Sequence, residues 1–179
     1  HLHNHSHYSL LDGACRIDDL VRASVEDGMS AVALTDHGVM FGAIEFYKKA
    51  QKAGIKPIVG MEAYIVTKGS RFERASQVTE SGGKRAAYQH LLLLAKDETG
   101  YRNLIKLCTA GHTEGYYYRP RIDTELLRRH RDGLVATSAC AGGVIGAYLA
   151  AGDVAAAYEA AEIYRDIFGD DFYVGIQNH

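Results

Sequence analysis

The chain begins His1-Leu2-His3-Asn4-His5-Ser6-His7. In an extended strand successive side chains alternate faces, so all four imidazoles would project to one side. Neutral imidazole is the commonest protein ligand for zinc and also suits manganese and iron, which makes alternate histidines at a strand end one half of a metal grip. The remaining ligands must come from elsewhere. Candidates stand in or just after other apolar runs: Asp36-His37-Gly38 after Ala31 to Thr35, Glu62 within Pro57 to Val66, and Ser138-Ala139-Cys140 after Leu134 to Thr137. Any one of them is an ordinary polar residue near a strand end. As a concerted set they supply the nitrogen, oxygen and sulfur donors that a divalent cation takes.

Those three runs, together with His1 to His5, Leu91 to Ala95 and Phe172 to Ile176, predict six strands. Helical spacing occupies 17–26, 42–53, 101–110, 124–130 and 143–168, the last broken at Gly152-Asp153. Strand followed by helix, repeated, predicts parallel strands and an α/β fold, in which functional groups gather where strands end. By that rule His3, His5, His37 and Cys140 meet near Glu62, whereas His90 stands before its run and falls at the opposite end. Asp12, in Leu10-Leu11-Asp12-Gly13, is open between a carboxylate ligand and a plain Asp-Gly turn. His1 and His7 are expected in solvent. Lys68 to Ala87 has no periodicity and is rich in Ser, Gly, Lys and Arg, so a mobile surface loop is expected there.

A length of 179 residues with 47% hydrophobic and 23% charged content fits one soluble globular domain, or part of one. Twenty Lys and Arg against 22 Asp and Glu leave a formal charge of -2, which excludes a global positive field for nucleic acid. Any polyanion contact must be local or run through bound metal. Tyr116-Tyr117-Tyr118-Arg119-Pro120-Arg121 interleaves aromatic and basic residues as a stacking and phosphate-binding loop does, with Arg119 and Arg121 as nucleic-acid contacts. The alternative is that these tyrosines pack on the domain. Arg71, Arg74, Lys84 and Arg85 form a second basic group, whose alternative is simple solvation. Cys15, Cys108 and Cys140 are widely spaced, which argues against a secreted disulfide framework and fits a reducing cytoplasm. No apolar run approaches the roughly 20 residues needed to span a bilayer, and no charged leader precedes one, so no membrane association is expected. The chain starts without Met and stops in a strand-like run, which reads as a fragment of something longer.

His3-Asn4-His5-Ser6, Thr35-Asp36-His37-Gly38, Gly60-Met61-Glu62-Ala63 and the Ser138-Ala139-Cys140 turn resemble the successive motifs of the PHP (polymerase and histidinol phosphatase) domain. The strings HSHYSLLDG, TDHGVMFGAIEFYKKA, GIKPIVGMEAYI and HLLLLAKDETGYRNL resemble, more specifically, the PHP domain at the N-terminus of the α chain of bacterial replicative DNA polymerases. The resemblance covers nearly the whole chain, with 68–87 lacking a counterpart.

It implies a parallel-stranded, distorted (β/α)7-type barrel holding up to three metals, with ligands His3, His5, Asp12, His37, Glu62, His90 and Cys140. Asp12 and His90 enter the set on that basis only. Glu62 would be the bridging carboxylate, and Glu62 and His37 the catalytic residues. Cys140 stands where small phosphatase members use histidine, and a thiolate favours zinc over manganese. Zinc and/or manganese are thus the implied cofactors, with magnesium serving the parent polymerase. The implied activity is metal-dependent hydrolysis of phosphodiesters at DNA 3′ ends, a 3′-5′ proofreading exonuclease. The alternatives are a non-catalytic structural domain that docks a separate proofreading exonuclease, and a phosphatase of the histidinol phosphate type. Implied partners are the DNA 3′ end, the rest of the polymerase α chain and, through it, a proofreading exonuclease subunit and a sliding clamp, in the cytoplasm. The family's later Asp-x-His pair does not occur before His179, so residues 1–179 are expected to be a C-terminally truncated PHP domain without its last strands.

Overall fold

The computed structural model describes residues 1–177 apart from Leu11, Ala75, 79–83 and Ala87, with the backbone alone for 76–78 and 84–86. Its elements run α1 (Ile17–Glu26), β1 (Ala31–Leu34), α2 (Ala43–Lys52), β2 (Lys56–Val66), β3 (Ser76–Val78), β4 (Lys84–Ala86), β5 (Gln89–Ala95), α3 (Glu98–Thr113), β6 (Tyr116–Tyr117), β7 (Arg119–Asp123), α4 (Thr124–Arg129), β8 (Leu134–Thr137), α5 (Gly146–Ala150), α6 (Val154–Phe168) and, after a 3-10 turn, β9 (Phe172–Tyr173). No helix among the described residues is long and apolar enough to cross a membrane.

The sheet is organised around β2. On one edge it takes β1 as a parallel neighbour along Lys56 to Val59, then a bridge from His37 to Glu62, then β7 in parallel along Tyr64 to Val66. β5 covers the other edge, antiparallel from Gly60 to Ile65, and is followed by an antiparallel β8 and a parallel β9. The fold is therefore α/β with a mixed seven-stranded sheet, and the all-parallel expectation fails at β5, which runs against both of its neighbours β2 and β8, and at the short β6. A parallel neighbour needs a long crossover, usually a helix. Between β2 and β5 the chain instead forms the antiparallel pair β3–β4. That pair lies within 68–87, the stretch expected to be a mobile surface loop.

Alternation across β2 and β5 divides core from site. Met61, Ala63, Ile65, Leu91 and Leu93 enter the main core, where they meet Leu104 and Leu107 of α3, Leu126 and Leu127 of α4 and Ile167 of α6. Each such burial stabilises by about 1.5–3 kcal/mol, so one face of both strands is fixed in place. Glu62, Tyr64, His90 and Leu92 necessarily take the other face, with Tyr64 paired to His90 and Glu62 to Leu92. A second core joins Ile17 and Val21 of α1 and Phe46 of α2 to Val32 and Leu34 of β1.

Helix ends follow side-chain caps. Asp97 accepts the Gly100 N–H and starts α3 earlier than the expected residue 101. The break at Gly152-Asp153 is present: Gly152 turns at φ 75 and Asp153 caps α6 through the Ala156 N–H. The segment His1 to His5, expected as a strand, is irregular. It lies against β1 through the Ala33 N–H to His1 and Thr35 N–H to Asn4 hydrogen bonds, while the Asn4 side-chain amide donates to the carbonyls of His1 and Ala33. A side chain there takes over part of what a strand ladder would do.

Candidate metal centre

Glu62 lies at the centre of the candidate site, with no exposed surface. Three imidazole nitrogens converge on its Oε2: His5 Nε2 at 2.6 Å, His3 Nε2 at 2.9 Å and His37 Nε2 at 3.3 Å. Its Oε1 faces His90 Nδ1 at 3.0 Å and the Cys140 Sγ at 3.8 Å. Asp12 reaches in from the first loop to His37 Nε2 at 2.7 Å and His5 Nδ1 at 3.2 Å. The donors form three overlapping triplets that could each hold a metal ion: His3–His5–Glu62, His5–Asp12–His37 and His37–Glu62–His90. Six of the seven expected ligands are thus brought together. Cys140 completes no triplet among the described residues, although it touches the shared carboxylate.

His90 reaches the site because β5 runs antiparallel to β2. The start of β5 then lies beside the far end of β2, and Tyr64 opposite His90 fixes the register. The parallel-strand expectation had sent His90 to the wrong end. Cys140 arrives through a turn in which Ala139 adopts φ 59.

The loop carrying His3, His5 and Asp12 is held by Asp36, which is not itself in a ligand triplet. Its carboxylate accepts the Ser6 N–H at 2.6 Å, the Ser6 hydroxyl at 2.9 Å and the Ser9 hydroxyl at 3.0 Å, all buried. Ser9 Oγ in turn accepts the His37 N–H at 3.0 Å. Gly13 closes the loop so tightly that a Cβ there would sit 1.8 Å from the Ser6 carbonyl oxygen. Replacing Asp36 by Ala leaves buried donors unmatched, at a cost of about 1–3 kcal/mol, and frees the ligand loop. Asp36→Ala should therefore lower metal affinity about 10- to 100-fold, as loss of a ligand's supporting partner does. Competition against a chelating dye measures it, and unchanged affinity would show that the loop does not depend on Asp36.

The field of the site favours a cation. Burial works to raise the Glu62 pKa, but His3, His5 and His90 override it and hold the carboxyl well below its usual range. Burial works against protonated His90, yet Cys140 and Glu62 beside it push its pKa up to about 9. His5 is raised in the same way, against burial, by Glu62 and Asp12. Contact with His90 lowers the Cys140 thiol, whereas burial lowers His37 and leaves it a neutral imidazole. His90 Nδ1 is buried and lies 3.0 Å from Glu62 Oε1 without hydrogen-bond geometry. A buried ring nitrogen with no hydrogen-bond partner, set beside a carboxylate on which three further imidazoles converge, is placed as a ligand of a common centre is placed. The residues present fit a divalent metal.

The centre opens into a cleft of about 400 Å³ whose wall includes Asp12, His37, His90, Tyr64, Tyr118 and Arg119. Tyr64 stacks on His37 with ring centroids 5.5 Å apart, and burial raises its phenol to about 12, so it stays a hydrogen-bond donor. Tyr88 stacks on His90. Neither tyrosine was among the sequence candidates, yet each stands two residues from a ligand and so shares its face by strand alternation. Arg119 lies on the rim, its guanidinium 5.8 Å from the Tyr64 ring centre.

Arg121 corrects the sequence reading. It is 1% exposed and donates to the carbonyls of Gly115, Arg71 and Glu73, so it is turned into the interior and away from any nucleic acid. Arg71, expected in a solvated basic group, is likewise buried against Asp123 and Glu114. Arg74 is exposed, while the side chains of Lys84 and Arg85 lie outside the described residues, as do Asn178 and His179. His1 and His7 are exposed as expected.

The PHP domain family matches residues 1–179, and the chain belongs to that family. It is homologous along its length to DNA polymerase III subunit alpha. Identity is 48% over 177 residues with the Aquifex aeolicus protein, covering 99% of this chain and 15% of the relative. With the Borreliella burgdorferi protein it is 49% over 179 residues, covering 100% and 15%. The chain thus spans about 15% of the length of these relatives. The solved structure of a Bifidobacterium adolescentis protein, described as a metal-dependent phosphoesterase, aligns over 76% of this chain and 64% of its own at 13% identity and TM-score 0.45, too remote a likeness to bear on function.

Proposed function

We propose that this domain, within its parent polymerase chain, hydrolyses phosphodiesters at DNA 3′ ends as a metal-dependent 3′-5′ exonuclease. The observation that carries the reading is the set of three ligand triplets sharing His5, His37 and Glu62 at the floor of an open cleft. His3, His5, Asp12, His37, Glu62 and His90 would hold up to three divalent ions, zinc and/or manganese, with Cys140 as a further donor beside Glu62. When bound, such ions supply Lewis-acid stabilisation of the phosphodiester and of the leaving alkoxide, and bring a water to nucleophilic strength near neutral pH.

The chain's own residues set the stage for that chemistry. Glu62, held ionised, places one oxygen towards His3, His5 and His37 and the other towards His90. His37, its pKa lowered by burial, aims Nε2 at Asp12 and Glu62, at 2.7 and 3.3 Å, and would give that nitrogen to a bound ion. Arg119 on the rim is suited to a backbone phosphate, as the chain's net charge of -2 requires of a local contact. Homology over the whole chain to polymerase subunits favours a polynucleotide end over a small phosphate monoester. A proofreading exonuclease subunit and a sliding clamp would be reached through the parent chain, where the polymerase centre would use magnesium.

Elemental analysis of the parent chain beside a His3→Ala/His5→Ala variant tests the reading, followed by digestion of a single-stranded 3′ end. The expected result is up to three metals per chain in the wild type and, in the variant, loss of hydrolysis together with all of that metal except what His37, Glu62 and His90 hold. Hydrolysis that survives the double substitution would place the exonuclease elsewhere, and the domain would then be a scaffold.

A further inference from the structure

We propose that the turn bearing Tyr118 is a stacking site for the base of the 3′-terminal nucleotide, so that the cleft favours an unpaired end over a base-paired one. This rests on the exonuclease reading above and adds the part of the substrate that is recognised. Tyr117 pairs with Arg119 across the β6–β7 turn, which leaves Tyr118 alone at its apex with φ 59. A bulky residue in the left-handed region is strained and persists only where its surroundings enforce it.

Here they do. Buried Arg121 holds the turn through its bonds to Gly115, Arg71 and Glu73, its guanidinium lies 5.2 Å from the Tyr117 ring centre, and Tyr117 meets Tyr118 edge to face at 4.7 Å. The outcome is a rigidly backed aromatic ring left 62% exposed. It borders the same cleft as Asp12, His37 and His90. Stacking on an aromatic side chain is sequence-tolerant, because every base has a π face. A paired terminal base must first leave its own stack and its partner, which a frayed or mismatched end has already done.

The test uses the parent chain and a single-stranded oligonucleotide ending in 5-iodouridine behind a phosphorothioate linkage that resists hydrolysis. Photocrosslinking is expected at Tyr118. Crosslinks found only outside residues 116–121 overturn the proposal. In parallel, Tyr118→Ala should lower kcat/KM for an ordinary single-stranded 3′ end by about 10- to 100-fold, leave an end with a terminal abasic site unchanged, and be rescued by Tyr118→Trp. Equal loss on both ends overturns the stacking role and leaves the exonuclease reading standing. A crosslink at Tyr118 in a chain that hydrolyses nothing supports the stacking site and sinks the exonuclease.

Discussion

Glu62→Gln should strip the parent chain of most of the metal at this centre, sparing only what His5, Asp12 and His37 could hold, and lower 3′-end hydrolysis by at least about 10²- to 10³-fold. Glutamine preserves the volume and the place in β2, and the alternating core residues Met61 and Ala63 on either side keep the strand docked. What disappears is the charge. Two of the three candidate metal positions use this carboxylate, and both of its oxygens are engaged by imidazoles from separate segments. With His37, it joins the first loop, the turn after β1 and the start of β5. Loss of His3 alone leaves the His37–Glu62–His90 group intact, so His3→Ala should retain part of the metal that Glu62→Gln loses. Metal content per chain and the rate of 3′-end digestion are the readouts. Full metal occupancy in the Glu62→Gln protein would mean that these groups do not ligate it.

Much of this centre is legible in the residues themselves: His37 and Glu62 stand where a strand ends and within the next strand, while His3 and His5 converge although the segment that carries them is irregular rather than the expected strand. His90 is not legible under an assumption of parallel strands. The corrective signal lies in 67–88: that stretch has no helical period, and without a crossover helix the next strand must turn back antiparallel. Asp36 is adjacent to His37 and reads equally as a ligand or as a ligand's partner. Only the packed structure shows its carboxylate turned to Ser6 and Ser9. The two arginines of opposite fate, Arg119 on the rim and Arg121 in the interior, stand two residues apart in β7, where alternation alone would give them the same face. Composition around a Tyr-Arg run cannot tell which of its cations is folded inward.

Arg71→Met is expected to destabilise the fold by about 3–5 kcal/mol, the range for breaking a buried ion pair from one side. Methionine keeps the packing of the stem but strands the partners. The Arg71 backbone N–H donates to Asp123 Oδ2 at 2.9 Å, its guanidinium meets both carboxylate oxygens at 3.1 Å, and its Nε donates to Glu114 at 2.8 Å. Asp123 also caps α4 by accepting the Leu126 N–H at 3.0 Å. One arginine thus ties the segment after β2 to β7, to the end of α3 and to α4. For a domain of this size the loss corresponds to roughly 6–20 °C in Tm. Adding Asp123→Asn should recover part of it, since asparagine can still cap the helix and no unpaired charge remains. The same carboxylate gives a pH dependence of known sign. Burial works to raise the Asp123 pKa, but the Arg71 and Leu126 N–H groups and the Arg71 charge bring it below its ordinary value. A carboxyl depressed in the folded state stabilises at pH above its unfolded value of about 3.9, and that stabilisation is lost as pH falls below it through the folded value. Thermal melts of the wild type should therefore lose stability below about pH 4 more steeply than melts of the Asp123→Asn protein. Parallel curves would show that Asp123 carries no such charge in the fold.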